Sequence, residues 1–441
     1  MRRIGEFLSE FSRKYTPDSF VFALLLTLLV YGLSILLTDH GPFQLLRDWY
    51  GGFWNLLGFS MQMVLILVTG YALASAPVVE RLMTRLAALP SSGPQGVALV
   101  GLVAGLLGWF NWGLSLIAGA LLARKVAVSA RRRGIKIHYP LVAAAGYLGQ
   151  LIWHGGLSGS APLLVNTSGH FLEASIGIIP LSQTIFRPFN LIVSLGILII
   201  GPLVLMSMHP VGEEIEEMDP DESVPIVPAN EGSELKNRLG NSRLLVSLVS
   251  LAGLAFLVDF FWHHGLASLD LNLVNFTLLI LGLLLHGTPA SYAKAVSGGA
   301  RASSGVILQF PFYAGIMGMM ISSGLAGVIA QGFVAISTPL TYPLWTLCSA
   351  GVINLMVPSG GGQWAMQGPI VVEATRALGV DVGRSIMAVA FGDQLTNMIQ
   401  PFWALPLLGI TRLRPGDVLG YTAVAMMAVF LVMVLGISLL P

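Results

Sequence analysis

Six apolar stretches, at 20–38, 55–76, 187–208, 243–262, 271–286 and 417–440, come close to the length that a membrane crossing needs. A hydrocarbon core about 30 Å thick takes about 20 helical residues, and every backbone polar group inside it must be paired within the protein. Such runs dictate a bundle of helices, and the composition offers no alternative. Charged residues are 10% of the 441 residues, whereas an ordinary soluble domain carries about 25%. A soluble molecule of this size would lack a charged skin. Lys and Arg number 23 against 22 Asp and Glu, a net +1, so no nucleic-acid partner is implied. Cys348 is the single cysteine, which excludes a disulfide framework and a multi-cysteine metal site. The 51 glycines suit close helix packing and helix breaks. The expected fold class is an all-α polytopic membrane protein.

Arg2, Arg3, Arg13 and Lys14 precede the apolar run 20–37. A secretory signal has an apolar region of about 7–15 residues closed by small residues. This run is longer and ends Leu-Thr-Asp-His, so it reads as a retained first span. The hydrophilic segment 209–242 holds nine of the 22 acidic residues and divides the chain into membrane halves 1–208 and 243–441. Its composition reads as a solvated, flexible linker. The basic cluster Arg124, Lys125, Arg131, Arg132, Arg133 and Lys136, with Arg81 and Arg85, marks the cytoplasmic face. Segment 96–129 lies between these charges and must cross an even number of times. Two full spans of about 20 residues do not fit there. A re-entrant hairpin is therefore expected, with its tip at 108–113 and Asn111 in the interior.

The halves resemble one another. Tyr139-Pro140-Leu141 recurs as Tyr342-Pro343-Leu344, and the run 154–160 faces 358–363 at nearly the same offset. The tip Phe110-Asn111-Trp112-Gly113 is matched with Phe310-Pro311-Phe312-Tyr313, with Gln309 just before it. Interrupted helices in matching positions of two repeats are the pattern of a secondary transporter. The charges leave open whether the repeats are inverted or parallel.

The matched breaks nominate a binding site. Val357-Pro358-Ser359-Gly360-Gly361-Gly362-Gln363 sets three glycines inside an apolar span. Three glycines cost a helix about 1 kcal/mol each relative to alanine. A helix start beside them would present free N–H groups and a partial positive charge to a carboxylate. The first-half counterpart is 155–160, where Ser160 suits a helix cap and Pro162 an early helical position. Substrate contacts are assigned to Asn111, Trp112, Ser158, Gly159, Ser160, Gln309, Ser359, Gly360, Gly361, Gly362 and Gln363, against the competing reading of close helix packing. Trp112, Phe312, Tyr313 and Trp364 are expected as apolar walls. Asp393, Asn397 and Gln400 are spaced as one helical stripe, and an acidic side chain at membrane depth usually faces a cavity or a partner. No basic residue in that span pairs with Asp393. The coupling-ion candidates are Asp393, Asn397, Gln400 and His154, the last abutting the first glycine cluster. A bound Na⁺ on Asn111, Ser158 or Asp393, or a proton on Asp393, would offset a carboxylate in a span with no intramembrane Arg or Lys at hand. No resident cofactor or other metal is expected. Glu373 reads as part of an aqueous loop, His263 and His264 as a helix end, and Trp49, Tyr50 and Trp54 as an interfacial belt. No zincin, P-loop or nucleophile-elbow motif is present, so an enzyme is not expected.

At these residues the chain resembles the bacterial short-chain fatty acid transporter family, the acetoacetate and butyrate uptake type. The resemblance runs nearly end to end. It rests on Pro17-Asp18, the segments 52–57 and 61–63, Asn111-Trp112-Gly113, and the segments 156–160, 309–315, 357–362 and 400–406. It implies uptake of short monocarboxylates such as butyrate or acetoacetate across the bacterial inner membrane; coupled to Na⁺ or H⁺ as above, that uptake would be symport by alternating access. Kinship with the wider ion transporter superfamily implies inverted repeats, re-entrant hairpins, a homodimer and elevator-like movement. His154 stands where a glycine is usual in that pattern. A passive channel or facilitator for small organic acids is the competing reading.

Overall fold

The computed structural model describes residues 19–210, 212–218, 238–265, 268–355 and 357–440. The basic N-terminus, Pro17-Asp18 and the central part of the hydrophilic segment lie outside the described residues. Among the described residues, regular structure is helical, with no strand. The first half runs α1 (Ser19–Leu37), α2 (Pro42–Phe53), α3 (Leu57–Ala74), α4 (Pro77–Leu86), α5 (Gly93–Phe110), α6 (Trp112–Arg132), α7 (Tyr139–Gly146), α8 (Ser160–Val165) and α9 (Pro188–Ser207). The second half runs α10 (Arg243–His264), α11 (Leu271–His286), α12 (Pro289–Ala302), α13 (Ser304–Ser322), α14 (Leu325–Ile336), α15 (Tyr342–Asn354), α16 (Gly360–Leu378), α17 (Val382–Thr396), α18 (Pro401–Thr411) and α19 (Pro415–Leu439).

Eight described helices are long and apolar enough to cross a membrane. They differ in where they sit. Only 22% of the apolar window of α1 is buried, against 72% for α6. The outer helices keep leucines such as Leu28 and Leu36 exposed, as lipid contact demands, while α6 is enclosed by α3, α5, α7 and α18. Close packing there needs glycine. A Cβ on Gly119 of α6 would stand 2.2 Å from the carbonyl oxygen of Gly146 on α7. The halves interleave: α2 packs on α13, α3 on α11 and α12, and α9 on α19.

The expected hairpin forms at 93–132, and its arms are longer than 96–129 allowed: 18 residues in α5 and 21 in α6. Asn111 alone makes the turn, in extended conformation, and its side-chain oxygen accepts the Leu114 N–H at 2.8 Å. Asn111 is fully buried, as expected, and Trp112 nearly so, while Phe110 beside them is exposed and each arm is long enough to cross a membrane. The second half repeats this order, with α13 and α14 turning at Ser323 and Gly324 (φ 80°). Here one expected match fails. Phe310-Pro311-Phe312-Tyr313 is not a break, because α13 runs straight through Pro311. Tyr-Pro opens α7 and α15 alike, and each of these helices leads into a break followed by a second helix. Proline suits that opening because a first-turn N–H has no helical acceptor.

Candidate functional site

The two breaks, residues 147–159 and 357–359, meet in the interior, where His154 lies against Gly360. The first is a chain of 3₁₀ turns, at Leu148–Leu151 and Trp153–Gly155. It is braced by the hairpin tip: Leu157 N donates to the Trp109 carbonyl at 2.7 Å, and Trp112 N donates to Ser158 Oγ at 3.1 Å. So Asn111, Trp112 and Ser158, three of the expected contacts, are brought together in a fully enclosed corner. Asn111 and Ser158 already use their oxygens to cap α6 and to accept the Trp112 N–H. The cap of α8 falls on Gly159 rather than Ser160, which is the first helical residue, and no side chain caps it.

The second break ends differently from expectation. Gly360, Gly361 and Gly362 do not interrupt the helix; they form the first turn of α16. Ser359 is the cap, its Oγ accepting the Gly362 N–H at 3.3 Å. Being first in the helix, the Gly360 and Gly361 N–H groups have no intrahelical acceptor. The absence of side chains lets neighbours close over this turn. A Cβ on Gly360 would fall 2.3 Å from His154 Nε2, so the imidazole lies directly on the helix start. Phe59 and Phe310 lie over Gly361, and Tyr313 over Gly362.

His154 joins the two halves. Its Nε2 sits 2.9 Å from Asp393 Oδ1, and its backbone N–H donates to Gln394 Oε1 at 3.0 Å. Both side chains are buried. Asp393 thus has the basic partner that its own span lacks. Among the described residues, the buried side chains include this one carboxylate and no lysine or arginine. The stripe Asp393, Asn397, Gln400 is not continuous α-helix: α17 stops at Thr396 and a 3₁₀ turn carries Asn397 to Ile399. The three still converge, through a residue that spacing alone did not reveal. Asn354 Nδ2 lies within hydrogen-bond distance of the Asp393 carbonyl (2.8 Å), Thr396 Oγ1 (3.0 Å) and Asn397 Oδ1 (2.8 Å). Gln400 Nε2 donates to the Asn354 carbonyl. Asn354 is the one carboxamide of an otherwise mostly apolar helix and lies at its end, fully buried, which is a signal of function at membrane depth.

Much of this centre is chemically unspent. His154 Nδ1, Asp393 Oδ2, Asn354 Oδ1, Gln400 Oε1, Gln363 Oε1, Gln394 Nε2, Asn397 Nδ2, Gln150 Nε2, Trp153 Nε1 and Trp364 Nε1 are buried without a hydrogen-bond partner. A buried polar atom left unpaired costs about 1–3 kcal/mol, and a cluster of them calls for a ligand, ion or water. The acceptors Asp393 Oδ2, Asn354 Oδ1 and Gln400 Oε1 are of the kind that hold a cation or a proton. The first turn of α16, its free N–H groups lying under His154, and the indole N–H of Trp153, whose ring is tilted against His154 with centroids 3.6 Å apart, are of the kind that hold an anion. Gln309 lies one turn from Tyr313 on α13, accepting the Tyr313 hydroxyl at 3.0 Å. Gln363 Nε2 is spent on the Ala350 carbonyl and Gln367.

The expected walls divide. Trp112 packs on Trp153 and Trp403, and Trp364 is fully buried. Phe312 faces the other way, against Phe20, Trp49 and Phe53, and lines no part of this centre. Glu373 is exposed on α16 itself and not in a loop; His263 and His264 do close α10.

Comparison with known proteins follows the same lines. A family model described as short chain fatty acid transporter matches residues 1–440. A relative from Escherichia coli (strain K12), provisionally named a short-chain fatty acid transporter, is 41% identical over 441 residues, covering 99% of both chains. One of the same name from Haemophilus influenzae (strain ATCC 51907 / DSM 11121 / KW20 / Rd) is 38% identical over 449 residues, again covering 99% of both. Among solved structures, the Alcanivorax borkumensis YdaH transporter, described as having an unusual topology, gives a TM-score of 0.61 at 18% identity, covering 96% of this chain and 97% of that one. Neisseria gonorrhoeae MtrF, described with a class of antimetabolite efflux pumps, gives 0.51 at 13% identity, covering 98% and 97%. These two likenesses establish the helix arrangement alone.

Proposed function

The chain belongs to the short chain fatty acid transporter family, and we propose that it carries small monocarboxylates of butyrate or acetoacetate size across the bacterial inner membrane by cation-coupled alternating access. The observation that carries this reading is the junction of the two breaks: an unfilled helix start on α16, covered by His154, with the His154–Asp393 pair beside it. The substrate carboxylate takes the N–H groups of Gly360 and Gly361, and its short apolar chain lies among Phe59, Phe310 and Trp364. Helix starts in discontinuous spans suit anionic groups, and unwound backbone suits the coupling ion. A phosphate or dicarboxylate would need more positive charge than this interior holds. The coupling cation, Na⁺ or H⁺, belongs with Asp393, Asn354, Asn397 and Gln400, where its charge offsets the substrate. Segments 1–208 and 243–441 act as the two repeats around this site, and a homodimer is the assembly the reading expects.

The test is uptake of radiolabelled butyrate into proteoliposomes under an imposed Na⁺ or proton gradient. Accumulation above equilibrium under one of them supports the symporter and names its ion. Entry without accumulation would replace it with a facilitator, and no entry would remove the substrate assignment.

A further inference from the structure

A second cluster lies away from the membrane-depth site, at the face marked by the basic residues after α6. His138 immediately precedes α7, the stem of the first broken helix, and is buried. Its Nδ1 accepts the backbone N–H of Glu216 at 3.0 Å, and its Nε2 meets the Tyr421 hydroxyl of α19 at 2.9 Å. The backbone N–H of His138 donates to His209 Nε2 at 3.2 Å, and His209 Nδ1 meets the Pro210 carbonyl at 2.8 Å. The Tyr139 N–H donates to the Glu216 carbonyl at 2.8 Å, and Arg131 donates to the Met218 carbonyl at 2.7 Å. The opening of the acidic segment is therefore docked on the base of α7.

These bonds fix both protonation states. An imidazole nitrogen that accepts a backbone N–H carries no proton. His138 Nδ1 is therefore bare and its Nε2–H donates to Tyr421. His209 Nε2 is bare and its Nδ1–H donates to Pro210. A proton added to either ring must go onto the bare nitrogen, where it faces an N–H that cannot turn away. We propose that residues 212–218 form a pH-released latch, held on the stem of α7 while His138 and His209 are neutral and released when they take up protons.

Burial pushes His209 below its ordinary value of 6.5, outweighing the bond to Pro210 that raises it. The sign follows from linkage. The closed latch binds fewer protons than the open one, so its stability is complete above pH 6.5 and falls as pH drops below that value. The titratable and charged groups on the elements around the pair are Tyr139 on α7, Tyr421 on α19, Glu214, Glu216 and Glu217 on the docked segment, Arg131 and Arg132 at the end of α6, and Arg133 and Lys136 in the loop after it, where Arg131 and Arg133 donate to the Met218, Ala88 and Pro90 carbonyls. Arg412 adjoins the Thr411 carbonyl that Tyr139 reaches at 3.0 Å. The glutamates favour protonation and the basic groups oppose it. For a carrier of acids the physical consequence is direct: a falling pH on this face loosens the stem of the first broken helix.

Hydrogen exchange on the full-length protein in lipid nanodiscs tests the latch, read at the Glu216 and Tyr139 amides and corrected for the intrinsic pH effect. Protection should drop by about tenfold or more between about pH 8 and about pH 5.5. The double variant His138→Gln, His209→Gln keeps an acceptor at each place without a titrating group, and its protection should be the same at both values. Equal protection of the unmodified protein at both, or an unchanged pH loss in the double variant, overturns the proposal. Should the variant not fold, ¹⁵N imidazole shifts of the unmodified protein decide. Near pH 8 they must report Nε2–H for His138 and Nδ1–H for His209, and the opposite tautomers or charged rings overturn it.

Discussion

Asp393 and His154 come from opposite halves, and neither explains itself alone. The lone acidic residue in an apolar span announced a function, and the glycines beside His154 announced a break. That the two side chains meet is a tertiary fact with no trace in local spacing. Asn354 was legible in principle as the one carboxamide of its helix, yet its role as the hub for Asp393, Asn397 and Gln400 depends on how α15 lies against α17. Asp393→Asn keeps the shape and removes the charge. It should abolish cation dependence of uptake, and unchanged coupling in the gradient assay would remove Asp393 from the ion site. Gly360→Ala would drive a methyl to 2.3 Å from His154 Nε2. The variant should still fold, because a side chain rather than backbone must yield, but butyrate uptake should fall by about tenfold or more as the methyl displaces His154 and takes the carboxylate's place at the helix start.

At the scale of elements, the sequence marked helix openings better than helix breaks. The recurring Tyr-Pro pair, read only as a match between the halves, opens a helix in each, because proline's missing N–H costs nothing in a first turn. The matched segment at Pro311 predicted a break and gave none: α13 continues through the proline, packed on α1, α2 and α16. The three glycines were read as a break and proved to be a helix start, since Ser359 caps the turn they form. Helix crossings offer the sharpest test of packing. Gly119→Ala sets a Cβ 2.2 Å from a backbone oxygen of α7, which cannot rotate aside. Overpacking of this kind costs about 1–3 kcal/mol, so the variant should show a lower Tm in lipid than the unmodified protein.

For the whole molecule, composition settled the class, because a chain with this few charges has one solvent it can fold in. Repeat order was also readable, from hairpin to Tyr-Pro helix to break, although the second hairpin turns at Ser323-Gly324 rather than at the matched tip. The interleaving of α2 with α13 and of α9 with α19 was not readable, since contacts between halves leave no periodicity in either. Among the described residues, the buried ones include a single carboxylate, opposed by a histidine, and no lysine or arginine, so they offer no fixed positive charge to carry a bare anion across. Moving one uncompensated charge through the membrane field changes the energy by about 2.3 kcal/mol per 100 mV. If anion and cation travel together, one for one, the field does no work on the loaded carrier. Such a protein responds to concentration and is blind to voltage. Clamping proteoliposomes at opposite potentials with valinomycin and potassium should leave the butyrate uptake rate unchanged, and a rate that follows the potential would show that the charges do not move as a pair.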